Sequence, residues 1–139
     1  MKKTWLVFML FILGFTALYS QNLPSWVRMG MTENQVRQNL HGGQWIPRGN
    51  DLYVYGIPNN HILQQFCIVP GKGLTQYWLV GNFNYNSIVA NFTNLYGEPE
   101  TDSSGSLRFW ENLPNDVLVI IVSRDRDTIN IAYFFNNML

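Results

Sequence analysis

Helix-start signals occur twice in this chain, and after each one the residue pattern drops from the helical period to the period of two of a strand. The two stretches match in order and in spacing. Thr32 to Asn86 is 54 residues, Leu52 to Leu107 is 55, Gln64 to Leu118 is 54, and Thr75 to Ile129 is 54. An interval that holds across four landmarks marks a duplicated unit, and it restricts the fold more than composition does.

The first helix opens in Met29-Gly30-Met31-Thr32-Glu33-Asn34-Gln35-Val36. Thr32 and Gln35 form a capping box, in which the hydroxyl accepts from the N3 amide and the Gln side chain reaches back to the cap amide. Met31 and Val36 hold the two positions of a hydrophobic staple. Val36 and Leu40 make one apolar stripe, and Gly42-Gly43 supplies residues that tolerate left-handed backbone at a helix end, so a helix of about two to three turns is expected. The second helix is signalled by Ile88, Val89, Phe92, Leu95 and Tyr96, which share one face at the helical period. Asn84 or Asn86 caps it, and Gly97 with Pro99 ends it.

Behind the first helix come the β-rich runs Leu52–Tyr55, Leu63–Val69 and Leu74–Val80, and behind the second Leu107–Trp110, Val117–Val122 and Ile129–Phe135. Turn residues separate them, among them Pro70-Gly71-Lys72-Gly73 and Asp125-Arg126-Asp127, which reads as antiparallel hairpins. The expected fold is α+β: two tandem α-β-β-β repeats, about residues 26–81 and 82–139, forming one antiparallel sheet with two helices packed on one face. One such unit is too small to bury its own sheet well, so both are expected to share a core.

Ahead of this domain stands Lys2-Lys3, then an uncharged apolar run from Trp5 to Leu18, then Tyr19-Ser20-Gln21. A basic start, an apolar run and a small residue are the parts of a secretory signal peptide, and the run is short of the roughly 20 residues of a membrane span. Residues 1–20 are read as a signal peptide cleaved after Ser20, leaving 21–139 as a single domain with no stable membrane span, periplasmic or secreted. No cysteine follows the apolar run, so no lipid anchor is expected.

Without Lys2 and Lys3, seven basic side chains face nine acidic ones. A near-neutral chain offers little to neutralise phosphates, which excludes nucleic acid as a partner. Cys67 is the one cysteine, so no intramolecular disulfide can form. Its setting, Gln65-Phe66-Cys67-Ile68-Val69, reads as strand, with the thiol as a small buried apolar group.

No catalytic, metal or cofactor set emerges. His41 belongs to the end of the first helix and His61 to a polar turn, and neither has a nucleophile and an orienting group in view. Ser103-Ser104-Gly105-Ser106 lacks the nucleophile elbow and reads as a loop. Pro70 to Gly73 lacks the spacing and following helix of a phosphate loop. Glu98 and Glu100 flank a proline in an exposed link, where nothing shifts a carboxylate toward acid-base work.

Gly30-Met31-Thr32, Gln35-Val36 and Leu40 resemble the opening of the SmpA/OmlA family of small outer-membrane lipoproteins. Tyr96-Gly97-Glu98-Pro99, followed by a strand carrying Trp110, resembles a wider group of exported bacterial domains. The β-lactamase inhibitor protein is built from tandem copies of such units. The resemblance implies helices on one face of a shared sheet and a scaffold that works through its surface. The chain departs from both in its cysteines, lacking the lipidated residue of the first and the disulfides of the second.

These readings point to a non-catalytic exported protein-protein interaction module, of accessory or inhibitor type, whose partner is an unidentified envelope or extracellular protein. A module for a small apolar or glycan ligand is the first alternative, and a hydrolase with an unrecognised site the second. Alternation along the last strand puts Ile129, Ile131, Tyr133 and Phe135 toward the helices and Phe134 outward. The repeat interval then puts Tyr77 and Leu79 inward and Trp78 outward. Trp78 and Phe134 are accordingly the candidate protein-binding residues, aromatic side chains on an open face.

Overall fold

Eight strands in one antiparallel sheet, with two helices, make up the described residues, 22–58, 61–111 and 113–139, of the computed structural model. The signal-peptide reading of residues 1–20 and the new terminus at Gln21 lie outside them, as do Asn59-Asn60 and Asn112. Chain order is α1 (Glu33–Arg37), β1 (Gln44–Gly49), β2 (Leu52–Gly56), β3 (Leu63–Val69), β4 (Gly73–Gly81), α2 (Tyr85–Tyr96), β5 (Glu100–Thr101), β6 (Leu107–Trp110), β7 (Val117–Asp125) and β8 (Thr128–Phe135), followed by a 3-10 turn at Asn136–Met138. Across the sheet the order is β1-β2-β3-β4-β8-β7-β6-β5.

The expectation of six strands is corrected to eight, because β1 and β5 carry no strand signal. Gln44-Trp-Ile-Pro-Arg-Gly lacks alternation and contains Pro47, which a sheet tolerates at an edge where no ladder hydrogen bond is demanded of its nitrogen. Asn50 and Asp51 then turn the chain with φ of 55° and 65°, the two left-handed positions of a tight hairpin. β5 is only two residues long.

The capping box of α1 is formed: Thr32 Oγ1 accepts from the Gln35 amide at 3.2 Å, and the Thr32 amide donates to Gln35 Oε1 at 2.9 Å. The helix is shorter than expected, one turn ending at Arg37. Asn39 Nδ2 donates to the Gln35 carbonyl, and the Asn39 and Leu40 amides close i to i+3 turns, so the helical ladder stops there. His41 therefore lies outside the helix, and its carbonyl accepts from Tyr55 Oη at 2.6 Å. α2 begins at Asn84, whose side chain accepts from the Ser87 amide, and ends at Gly97. Ile88 and Phe92 are buried as expected, but Leu95 and Tyr96 are exposed at 56% and 38%.

One row of side chains crosses the helix-facing side of the sheet through paired positions: Tyr53, Phe66, Tyr77, Tyr133, Ile120 and Trp110. Val36 of α1 and Ile88 and Phe92 of α2 belong to the same buried cluster. Phe92 meets Trp110 at 5.4 Å and Tyr133 at 6.3 Å between ring centroids, so α2 sits over β7, between β8 and β6. Trp110 Nε1 donates to the Gly97 carbonyl at 2.9 Å, tying β6 to the end of α2. Burial of several aromatic side chains, at about 150–250 Å² each, is the main force holding helices to sheet.

Candidate functional site

The opposite side of the sheet has no helix over it among the described residues. Its central row pairs Val54, Gln65, Trp78, Ala132, Ile121 and Phe109. A flanking row runs Cys67, Gln76, Phe134 and Val119, and another Leu63, Val80, Asn130, Ser123 and Leu107. None of these fifteen side chains is charged. The reason is positional: alternation along β3, β4, β8 and β7 puts aliphatic and amide residues on this side, while the carboxylates Glu100, opposite Phe109, and Glu111, at the hollow, stand toward its β5–β6 edge.

Trp78 and Phe134 come together here, as neighbours across the β4–β8 pair. Their rings meet edge to face at 5.8 Å, and both cover Ala132, which is 2% exposed. Trp78 is half-buried, with Nε1 donating to Gln76 Oε1 at 3.0 Å. That hydrogen bond to its own strand neighbour fixes the indole against the sheet, a preorganisation that lowers the entropy cost of a contact. Two strands away, the same face dips into a hollow of about 610 Å³ lined by Leu107, Phe109, Leu118, Val119 and Ile121, with Glu111 at its rim. The register slip between Val117 and Val119 puts Leu118 beside Val119 on this side, an irregularity that simple alternation does not reveal.

Cys67 lies on the open face and is half-buried, whereas the sequence reading had it buried. Strand alternation explains this, since Phe66 takes the core position. His41 and His61 are both exposed and stand on different links. Around Asp102 a small cluster closes the β5–β6 link: Ser104 Oγ donates to Asp102 Oδ2 at 2.6 Å, and the Leu107 amide donates to Asp102 Oδ1 at 3.1 Å. The Ser104 hydrogen bond chiefly holds the Asp102 carboxyl below its usual range. Hydrogen bonds of this kind stiffen a turn, and no imidazole accompanies them. Among the described residues no group of three or more His, Cys, Asp or Glu gathers as a metal site would. No helix among them is long and apolar enough to cross a membrane.

A feature missed in the sequence is Tyr85 at the start of α2, with the guanidinium of Arg124 over its ring at 4.8 Å and that of Arg108 at 5.9 Å. Arg124 stands next to the turn residues Asp125-Arg126-Asp127, and it is exposed while still stacking on Tyr85. The contact is a cation-π clasp of the helix start onto β6 and β7.

Comparison with known proteins returns no matching family model, no matching curated protein and no matching solved structure.

Proposed function

We propose that this chain is a non-catalytic, exported module of the bacterial envelope that acts by binding another protein. The observation that carries the reading is the largely apolar open face with the Trp78–Phe134 pair at its centre and its carboxylates, Glu100 and Glu111, toward one edge. An apolar, aromatic-centred patch of this extent is where a soluble domain recognises a partner. Its kinship is proposed to lie with the exported α+β units that the SmpA/OmlA-like and inhibitor-like motifs suggest, built as a tandem repeat. The mirrored strand order, β1-β2-β3-β4 against β8-β7-β6-β5 with a helix ahead of each set, supports that reading. Export rests on the basic, apolar and small-residue pattern of residues 1–20.

The test is photo-crosslinking in intact producing cells, compared between the wild type and Trp78→Ala. A crosslinked protein species lost in Trp78→Ala is expected. The half-buried indole should cost on the order of 1–2 kcal/mol of stability when removed, against roughly 3–5 for a core aromatic. A crosslink that survives in the variant, or a protein retained inside the cell, defeats the reading.

The hollow lined by Leu107, Phe109 and Leu118 favours a second reading, a small apolar ligand. Such a ligand would co-purify with the chain and raise its melting temperature.

A further inference from the structure

We infer that the open face binds its partner protein through a segment that sets apolar side chains beside a Lys or Arg, the cation standing between Glu100 and Glu111 at the β5–β6 edge. The inference rests on the reading of this face as a protein-binding surface and names the chemistry of what it binds. It is carried by the sign of the charges on the face and by their place relative to the aromatic pair.

Two rows that pass through the aromatic pair run on to carboxylates. Trp78, Ala132, Ile121 and Phe109 are paired in turn, and Phe109 is paired with Glu100. Phe134 pairs with Val119, and Glu111, which follows the Trp110–Ile120 pair, lines the hollow beside Val119. Both glutamates are exposed. Among the described residues the one ion pair, Arg37 with Glu33, is on α1, so no described residue neutralises either of them. Asp125, paired with Thr128 on this side at the β7–β8 tip, is acidic too. No Lys or Arg holds a paired position on this side across the sheet from β2 to β5. Arg108 and Arg124 reach Tyr85 on the helix side, Lys72 and Arg126 are in turns, and Arg48 is on β1 at the opposite edge. The charge on the face is therefore of one sign, and it calls for a cation.

Geometry sets where that cation goes. Glu100 is directly across from Phe109, where paired β-carbons are about 4.5–5.5 Å apart, and Glu111 is two residues further along the same side of β6, about 6.7 Å away. A cation between the two carboxylates also lies over the Phe109 ring, within the roughly 6 Å of a cation-π contact. Phe134 is two strands from β6 and Trp78 three, so apolar side chains resting on that pair are about 10–14 Å from the cation. Between them the hollow of Leu118, Val119 and Ile121 takes a further apolar side chain. Other partners fit less well. An anionic lipid surface, a nucleic acid or an acidic segment is repelled by the carboxylates. A purely apolar partner covering this edge would leave both of them buried and unpaired, which is strongly unfavourable.

The experiment is photo-crosslinking in intact producing cells from a photoreactive side chain in place of Gln65, which pairs with Trp78 on the open face, with the contact peptide mapped by mass spectrometry. Expected is a partner peptide in which apolar residues flank a Lys or Arg. The yield should fall about three- to tenfold in the Glu100→Gln/Glu111→Gln double variant, as for the loss of two rim ion pairs. Asp127→Asn, which removes an exposed charge at the β7–β8 tip, is expected to leave the yield unchanged. Raising the medium from about 0.15 M to about 1 M salt, which shortens the screening length from about 8 Å to about 3 Å, should lower the wild-type yield and leave that of the Gln variant where it is. Both glutamates are exposed, so the Gln variant should melt with the wild type, and Glu111→Gln alone serves if the double variant is less stable. A yield unchanged in the Gln variant, a contact peptide without a basic residue, or a crosslink to lipid or to a second copy overturns the inference. A crosslink lost in Trp78→Ala but kept in the Gln variant overturns the cation alone and leaves the protein-binding reading intact, whereas no crosslinked protein in the wild type defeats both.

Discussion

Tyr77 and Tyr133 stand side by side in the middle of the helix-facing row, ring centroids 6.0 Å apart and each almost wholly out of solvent. Tyr77 Oη donates to Gln64 Oε1 at 2.9 Å. Burial pushes both phenols above the ordinary tyrosine value, and for Tyr133 the neighbouring Tyr77 adds to it. The consequence for stability has a definite sign. Below the unfolded value of about 10, native and unfolded chains both hold these protons, and pH has no purchase through them. As pH rises past that value the unfolded chain releases protons that the native chain retains, so native stability falls. Thermal melts between roughly pH 8 and pH 12, the range around that pKa, should show a melting temperature that declines only on the alkaline side. Phenolate absorbance of these two residues should appear together with unfolding, and Tyr77→Phe should make the decline shallower.

At the scale of elements, the β3–β4 turn holds more of the structure than its Pro-Gly-Lys-Gly sequence announces. The Gly30 amide donates to the Leu74 carbonyl at 2.9 Å, and the Leu74 amide donates to the Met31 carbonyl at 2.8 Å, so the segment leading to α1 is stitched to the start of β4. Gly73 lies against the Gly30 backbone and has φ of 78°, and a β-carbon there would run into Gly30. Gly71 has φ of 82° but faces open space. Gly71→Ala should thus cost only the left-handed strain, about 1–2 kcal/mol. Gly73→Ala should cost clearly more, and equal losses by chemical denaturation would dismiss the packing explanation. This contact also shows how far the sequence could be read. Gly30-Met31-Thr32 is legible as a helix start because capping is local chemistry. That the same glycine must abut a second glycine depends on a pairing 43 residues away in sequence, which no local pattern encodes. The six strands found from alternation bury one face each. β1 escaped notice because as an edge strand it is mostly exposed, and the hollow beside Trp78 escaped because it depends on a bulge at Leu118.

Among the described residues, every strand pairing except one joins neighbours in sequence. The exception is β4 with β8, where Gln76 meets Phe134 and Gly81 meets Ile129. These two strands are the innermost of the sheet, flanked on both sides and roofed by the helices. Native-state hydrogen exchange should find their amides the slowest, with those of β1 and β5 at the sheet edges the fastest. Uniform protection across the sheet would contradict the order of strands. This long-range strand pairing also sets the order of events as the chain folds. Three hairpins on each side can zip from local contacts, but β8 has to find β4 by a diffusive search, with the intervening chain as its tether. The slow step should therefore respond to the length of that tether, and only gently: doubling its flexible part adds about 0.6 kcal/mol to closure. Substitutions within the individual hairpins should leave that step almost unmoved.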